Sequence, residues 1–220
     1  MATKRVPLVP GGIYHFYNHA NGNDNLFINE GNYRYFLKKY AEYLFPVFDT
    51  FAYCLLPNHF HFLIRVKKEE EPGKDPKGFQ KPLGSGESEG QNPKGFQKPL
   101  GFNKLSHQVG SFQNAYTKAF NKQQNRKGSL FMQSFGRKLV EDETYYLRLI
   151  HYIHTNAIHH GFANNLTDWK FTSYKTYLSD RENLLNREQV LLWFGGLENF
   201  IKFHKKQIDT GLTSEMEVKP

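Results

Sequence analysis

The chain has 220 residues, a net charge of +8 and a pI near 9.4, with 39% hydrophobic and 23% charged residues. This length supports one well-buried core with appendages, and the single cysteine, Cys54, excludes an internal disulfide or a Cys-x-x-Cys zinc site. Residues 1–10 hold no apolar run of signal-peptide length and no later stretch approaches a membrane span, so the expected location is the cytoplasm.

Gly11-Gly12 precede Ile13-Tyr-His-Phe-Tyr-Asn18, a β-rich run closed by Asn21-Gly22-Asn23-Asp24-Asn25, which predicts a first strand over 12–18. Tyr33, Phe36, Leu37, Tyr40, Ala41 and Leu44 then recur at helical spacing, with Lys38, Lys39 and Glu42 opposite. This is an amphipathic helix over 31–44, ended by Pro46. Strands over 47–56 and 59–67 follow, joined as an antiparallel hairpin by Pro57-Asn58.

Residues 68–103 differ in character. They contain a perfect repeat, Pro76-Lys-Gly-Phe-Gln-Lys-Pro-Leu-Gly84 and its copy from Pro93 to Gly101, and seven of the 18 glycines lie between 72 and 101. The segment is expected to be a mobile insertion without regular structure. Its Lys77, Lys81, Lys94 and Lys98 are offset by Glu69, Glu70, Glu71, Glu87 and Glu89, which argues against a DNA-contacting role.

Ser106 is read as the cap of a helix with apolar positions Val109, Phe112, Tyr116, Ala119 and Phe120, stopped by Gly128. Residues 135–141 read as a fourth strand. Asp142 caps a further helix that closes at Gly161. A helical tail over 187–207 is interrupted by Gly195-Gly196. The order β-α-β-β-α-β-α predicts an α+β fold, a ferredoxin-like antiparallel sheet with helices packed on one face. Residues 1–180 form the expected main domain and 181–220 a C-terminal helical extension.

Chemistry concentrates at Pro57-Asn58-His59-Phe60-His61-Phe62. A strand has a side-chain period of two, so His59 and His61 leave one face about 7 Å apart, while Phe60 and Phe62 point the other way. Two neutral imidazoles on a rigid strand can hold a divalent metal, though a hydrogen-bonded structural pair satisfies the same pattern. On the helix after Asp142, Tyr146, Ile150, Ile153 and Ala157 form a core stripe. Tyr145, Leu149, Tyr152 and Asn156 form an adjacent one, and Arg148, His151 and Thr155 are left towards solvent. A metal held by His59, His61 and the Asn156 amide oxygen could bind a phosphate whose phosphorus Tyr152 attacks. His15 and His19 could line the same site or lie on the surface, and the surface is the preferred reading.

Leu55-Leu-Pro-Asn-His-Phe-His-Phe-Leu63, Tyr116-Thr-Lys-Ala-Phe-Asn121 and His151-Tyr-Ile-His-Thr-Asn156 with Gly161 together resemble the single-tyrosine HUH transposases, in particular the REP-associated tyrosine transposases. The resemblance runs from about Gly12 to Tyr177, interrupted by the insertion. It departs from the family's usual motifs in Asn156-Ala157 for Asn-Pro and in Phe171-Thr-Ser-Tyr174 for Trp-Ser-Ser-Tyr. It implies cleavage and joining of single-stranded, hairpin-flanked DNA with Mg²⁺ or Mn²⁺. His59 and His61 would be metal ligands, Asn156 the third polar ligand, and Tyr152 the nucleophile that forms a 5′-phosphotyrosine. A homodimer exchanging the tyrosine helix is compatible with it. Lys122, Arg126, Lys127, Arg137 and Lys138 are the candidate phosphate contacts, in keeping with the basic charge and the 20 Phe and 13 Tyr residues. The rival reading is a non-catalytic or domesticated nucleic-acid-binding protein of the same fold.

Overall fold

The strand alternation read from the sequence places aromatic residues on one side of a sheet and histidines on the other. In the computed structural model, which describes residues 6–68, 100–179 and 183–206, that partition organises the fold. Four strands, β1 (Ile13–His19), β2 (Phe48–Leu56), β3 (His59–Val66) and β4 (Gly136–Leu139), form an antiparallel sheet in the order β2-β3-β1-β4. This is the ferredoxin-like order expected of the α+β reading.

Helices α1 (Glu30–Tyr43) and α2 (Leu100–Gln123) cover one face. Phe16, Phe48, Phe60, Phe62 and Ile64 from the sheet meet Tyr33, Phe36, Tyr40, Phe112, Tyr116 and Phe120 there. The Tyr40 ring stacks on Phe62 at 4.3 Å, and its hydroxyl hydrogen-bonds Thr50 Oγ1 at 2.7 Å, so the buried phenol stays satisfied. Asn29 caps α1 through a reciprocal bond with Asn32.

Helices also cover the opposite face, which corrects the expectation of helices on one face only: the apolar Phe51, Cys54 and Leu63 there are covered by α3 (Glu143–His159) and, outside it, by the short α4 (Tyr174–Tyr177) and by α5 (Arg187–Phe194) and α6 (Leu197–Lys205). Asp142 caps α3 as expected, its Oδ1 accepting from Thr144 N at 2.8 Å, and Gly161 adopts φ +72° just past the helix end. Cys54 lies fully buried on this face, where desolvation pushes its thiol up to about 12, as befits an inert packing residue.

Three further expectations are corrected. First, α2 begins at Leu100, within the region expected to lack structure, so Ser106 is interior rather than a cap. Leu105 packs on the core and Gln108 Nε2 donates to Tyr43 O, which draws the helix upstream. Its end comes at Gln123, before Gly128, with Asn125 already left-handed at φ 49°. Second, His151 and Thr155 are buried rather than solvent-facing, because α6 folds back over the outer side of α3. Third, His15 is buried rather than on the surface, and His19 is half-buried. The first copy of the repeat, nearly all of the second, and residue 207 of the tail lie outside the described residues. Among the described residues no helix is long and apolar enough to cross a membrane.

One close approach constrains β4. Gly136 pairs with Tyr17, and a Cβ there would meet the Tyr17 ring at 2.0 Å. Gly136→Ala must therefore displace that ring, at a cost of about 1–3 kcal/mol. A melting temperature lower by roughly 3–10 °C is expected. An unchanged thermal melt would show that the ring does not need to lie across the glycine.

Candidate functional site

The site is built where β1 and β3 run side by side under α3. Antiparallel pairing sets Tyr17 opposite His61 and His19 opposite His59, so period-two alternation gathers His15, Tyr17, His19, His59 and His61 on one face. Phe60 and Phe62 are left to the other core. The histidine face is the one that α3 covers.

His59 and His61 are nearly fully buried, with centroids 5.1 Å apart and rings at 81°. Each is anchored through Nδ1: His59 to Asn58 Oδ1 at 2.8 Å, and His61 to His15 Nε2 at 2.9 Å. From α3, Asn156 brings its Oδ1 to 3.2 Å from His59 Nε2, and the Tyr152 ring meets His61 edge-on at 5.6 Å. The helix that carries the phenol and the amide thus lies against the strand that carries the imidazoles. His59, His61, Tyr152 and Asn156 share one locus.

Burial holds these imidazoles neutral. Desolvation, reinforced by His19 and His160, brings His59 down to about 3 against a partial offset from the Asn156 bond. It takes His61 well below the ordinary histidine range, helped by His15 and His59. His15 falls to about 3 for the same reason, with the Lys138 charge adding to it. A neutral imidazole keeps the lone pair that a metal requires.

The donor set can be tested for fit to a cation. A neutral His59 has one N–H, yet both of its ring nitrogens face amide oxygens. With the N–H directed to the nearer oxygen, of Asn58, the Nε2 lone pair and Asn156 Oδ1 converge, which is the arrangement a cation satisfies. The Asn156 Nδ2, also buried, has no hydrogen-bond partner among the described residues, so no bond ties the amide down on its other side. With metal–nitrogen distances of about 2.1 Å, two imidazoles on one ion at 90–110° have centroids about 4.6–5.3 Å apart. The observed 5.1 Å lies within that range. Among the described residues no three His, Cys, Asp or Glu side chains converge as ligands, so an ion here would rest on His59, His61 and the neutral Asn156 amide, without a carboxylate.

The basic candidates are dispersed. Lys138 pairs across strands with His15 and so lies on the histidine face, exposed, with its ammonium 5.2 Å from the centre of the Tyr145 ring. Arg137 pairs with Phe16 and therefore points to the other face, where it packs over Phe135. Lys122 and Lys127 are exposed at the end of α2 and in the turn after it. Arg126 is committed to holding that turn, through Asp24, Asn121 Oδ1 at 2.8 Å and Ser129 O. Beyond the turn the chain returns along β1, where Met132 N donates to His19 O at 2.8 Å.

Four neighbours of the site were not among the residues assigned to it from the sequence. They are His15, Tyr17, His19, which stacks on His59 at 4.5 Å and 10°, and His160, whose ring lies 4.8 Å from His59. The alternation Ile13, His15, Tyr17, His19 was a legible signal for the first three. Their face, however, is settled only by the pairing of β1 with β3.

No protein-family model matches the sequence. A Haemophilus influenzae protein named as a REP-associated tyrosine transposase is 23% identical over 176 residues, covering 79% of this chain and 86% of the relative. Among solved structures, that of a REP-associated tyrosine transposase bound to a REP hairpin superposes with a TM-score of 0.55 at 15% identity, covering 82% of this chain and 87% of the other. The chain is thus similar to the REP-associated tyrosine transposases in sequence and in fold.

Proposed function

Proceeding from that likeness, we propose that this protein is a metal-dependent transposase that nicks and rejoins single-stranded DNA at hairpin-flanked ends. The observation that carries the reading is the convergence of Tyr152 and Asn156, one turn apart on α3, with His59 and His61 on β3. His59, His61 and Asn156 Oδ1 would hold Mg²⁺ or Mn²⁺, which supplies Lewis acidity at a phosphate oxygen.

Tyr152 Oη gives up its proton and bonds to phosphorus. The bond from phosphorus to the 3′-oxygen breaks, and that oxygen takes a proton to leave as a 3′-hydroxyl. One phosphodiester is exchanged for another, so the 5′-phosphotyrosine conserves bond energy and rejoining is the same step reversed. Lys138 beside the site, with Lys122 at the end of α2 and Lys127 in the turn after it, would neutralise phosphates and make binding strongly salt-dependent.

The test is incubation with end-labelled single-stranded hairpin DNA and Mn²⁺. A covalent adduct that survives SDS is expected. Turnover without an adduct would point to activated water instead, and retention without cleavage to the non-catalytic binder. His59→Ala is expected to lower cleavage by at least about a hundredfold while hairpin retention in a gel-shift assay stays within a few-fold. Normal cleavage by His59→Ala would mean that the metal assignment is wrong.

A further inference from the structure

We propose that His15 is a positioning residue that sets the tautomer of His61: it accepts the His61 Nδ1 hydrogen and so leaves the His61 Nε2 as a lone pair. The inference rests on the metal-dependent reading above for its consequence, but not for its test.

His15 lies on β1 two residue pairs along from Tyr17, the direct partner of His61, and on the same face. The two imidazoles lie edge to edge with centroids 5.0 Å apart and planes at 26°, and His15 Nε2 stands 2.9 Å from His61 Nδ1. Both residues are buried, at 2% and 3% exposure, so water does not substitute for either partner. A nitrogen–nitrogen contact of this length holds one proton, so one nitrogen donates and the other accepts.

The two alternatives differ at the far side of His61. If His61 donates, its Nε2 is a lone pair and a metal ligand. If His15 donates, the His61 Nε2 carries hydrogen and can only give a hydrogen bond to a phosphate. His59 indicates the choice. Both of its ring nitrogens face amide oxygens, which can only accept, and the nearer is Asn58 Oδ1 at 2.8 Å from Nδ1 against Asn156 Oδ1 at 3.2 Å from Nε2, which favours the tautomer with hydrogen on Nδ1. His15 occupies the equivalent place behind His61. Ligand imidazoles generally donate their other N–H to such a partner, and loss of that partner weakens metal binding by about 10–100-fold.

The variants are His15→Gln, whose amide oxygen can accept in place of His15 Nε2, and His15→Leu, which cannot accept. In metal-free full-length protein labelled with ¹⁵N-histidine, long-range ¹H–¹⁵N correlation spectra report the tautomer of each ring. Wild type and His15→Gln are expected to show His61 with hydrogen on Nδ1, and His15→Leu to show loss of that preference. Titration with Mn²⁺ followed by electron paramagnetic resonance should give an affinity within about threefold of wild type for His15→Gln and about 10–100-fold weaker for His15→Leu.

A wild-type spectrum with hydrogen on His61 Nε2 overturns the proposal, whether or not either variant folds. So does a folded His15→Leu variant that keeps the Nδ1 tautomer and full Mn²⁺ affinity. If wild type shows the Nδ1 tautomer but binds no Mn²⁺, the positioning by His15 stands, and the metal-dependent function is what fails.

Discussion

Tyr152→Phe is expected to form no SDS-resistant adduct with hairpin DNA and to cleave at least about a thousandfold more slowly than wild type. The substitution removes one oxygen and leaves the ring, which packs edge-on against His61 at 5.6 Å and His15 at 6.3 Å. The helix, the imidazole pair and Asn156 should therefore stay in place, so hairpin retention and Mn²⁺ binding should persist within a few-fold. Tyr146→Phe is the control, since that ring packs on Trp193 at 5.1 Å, away from the histidines. It should form the adduct as wild type does. An adduct of undiminished yield in Tyr152→Phe would move the nucleophile elsewhere and remove the main support for a tyrosine transferase.

The second large effect is loss of the fold in mild acid. His15, His59 and His204 are held down to about 3 and His151 to about 4 by burial, with His61 and His154 also lowered. The bonds around His154 show why charge is excluded. His204 Nδ1 faces the Phe200 carbonyl at 2.8 Å and must donate to it, so His204 Nε2 accepts from His154 Nδ1 at 2.8 Å. His154 Nε2 then accepts from Ser173 Oγ at 2.7 Å. Each ring nitrogen is used once by a neutral ring: protonating His204 would set its Nε2–H against the His154 Nδ1–H, and protonating His154 would set an N–H against the Ser173 hydroxyl hydrogen.

A histidine whose pKa is lowered on folding takes up protons on unfolding. Its contribution is complete above about pH 6.5 and is lost as pH falls towards the folded values. Each such group removes up to about 1.4 kcal/mol per pH unit, so several together exhaust a total stability of about 5–15 kcal/mol within one to three units. Cooperative unfolding with a midpoint near pH 5 is expected, read by circular dichroism and tryptophan fluorescence. Retention of the native signal at pH 3.5 would contradict the neutral, buried assignment.

These two results bear on different amounts of the sequence. The phenol, the amide and the His-Phe-His pair could all be read in advance, because each rests on short-range periodicity. His59 and His61 share a face by strand alternation, and Tyr152 and Asn156 share one by helical spacing. The acid-sensitive cluster could not be read in this way. His151 falls on the outer side of α3 by its spacing and was expected in solvent. It is buried because α6, some fifty residues later, lays Phe203 and His204 against it. The start of α2 lies upstream of its expected place for a related reason, since packing of Leu105 on the core and the bond from Gln108 to Tyr43 O at the end of the first helix override the local Gly and Pro signal.

The amino-acid sequence by itself determined the element order, the caps at Asp142 and Gly161, and the residue pairs that share a face. It also carried the likeness to the REP-associated tyrosine transposases that the relatives bear out. Only the tertiary structure decided that His15 stands behind His61, that His19 and His160 flank His59, and that Arg126 closes a turn with Asp24. The physical reason is range. Periodicity is a property of neighbouring residues, whereas strand register and helix docking are chosen by the burial of side chains tens of residues apart.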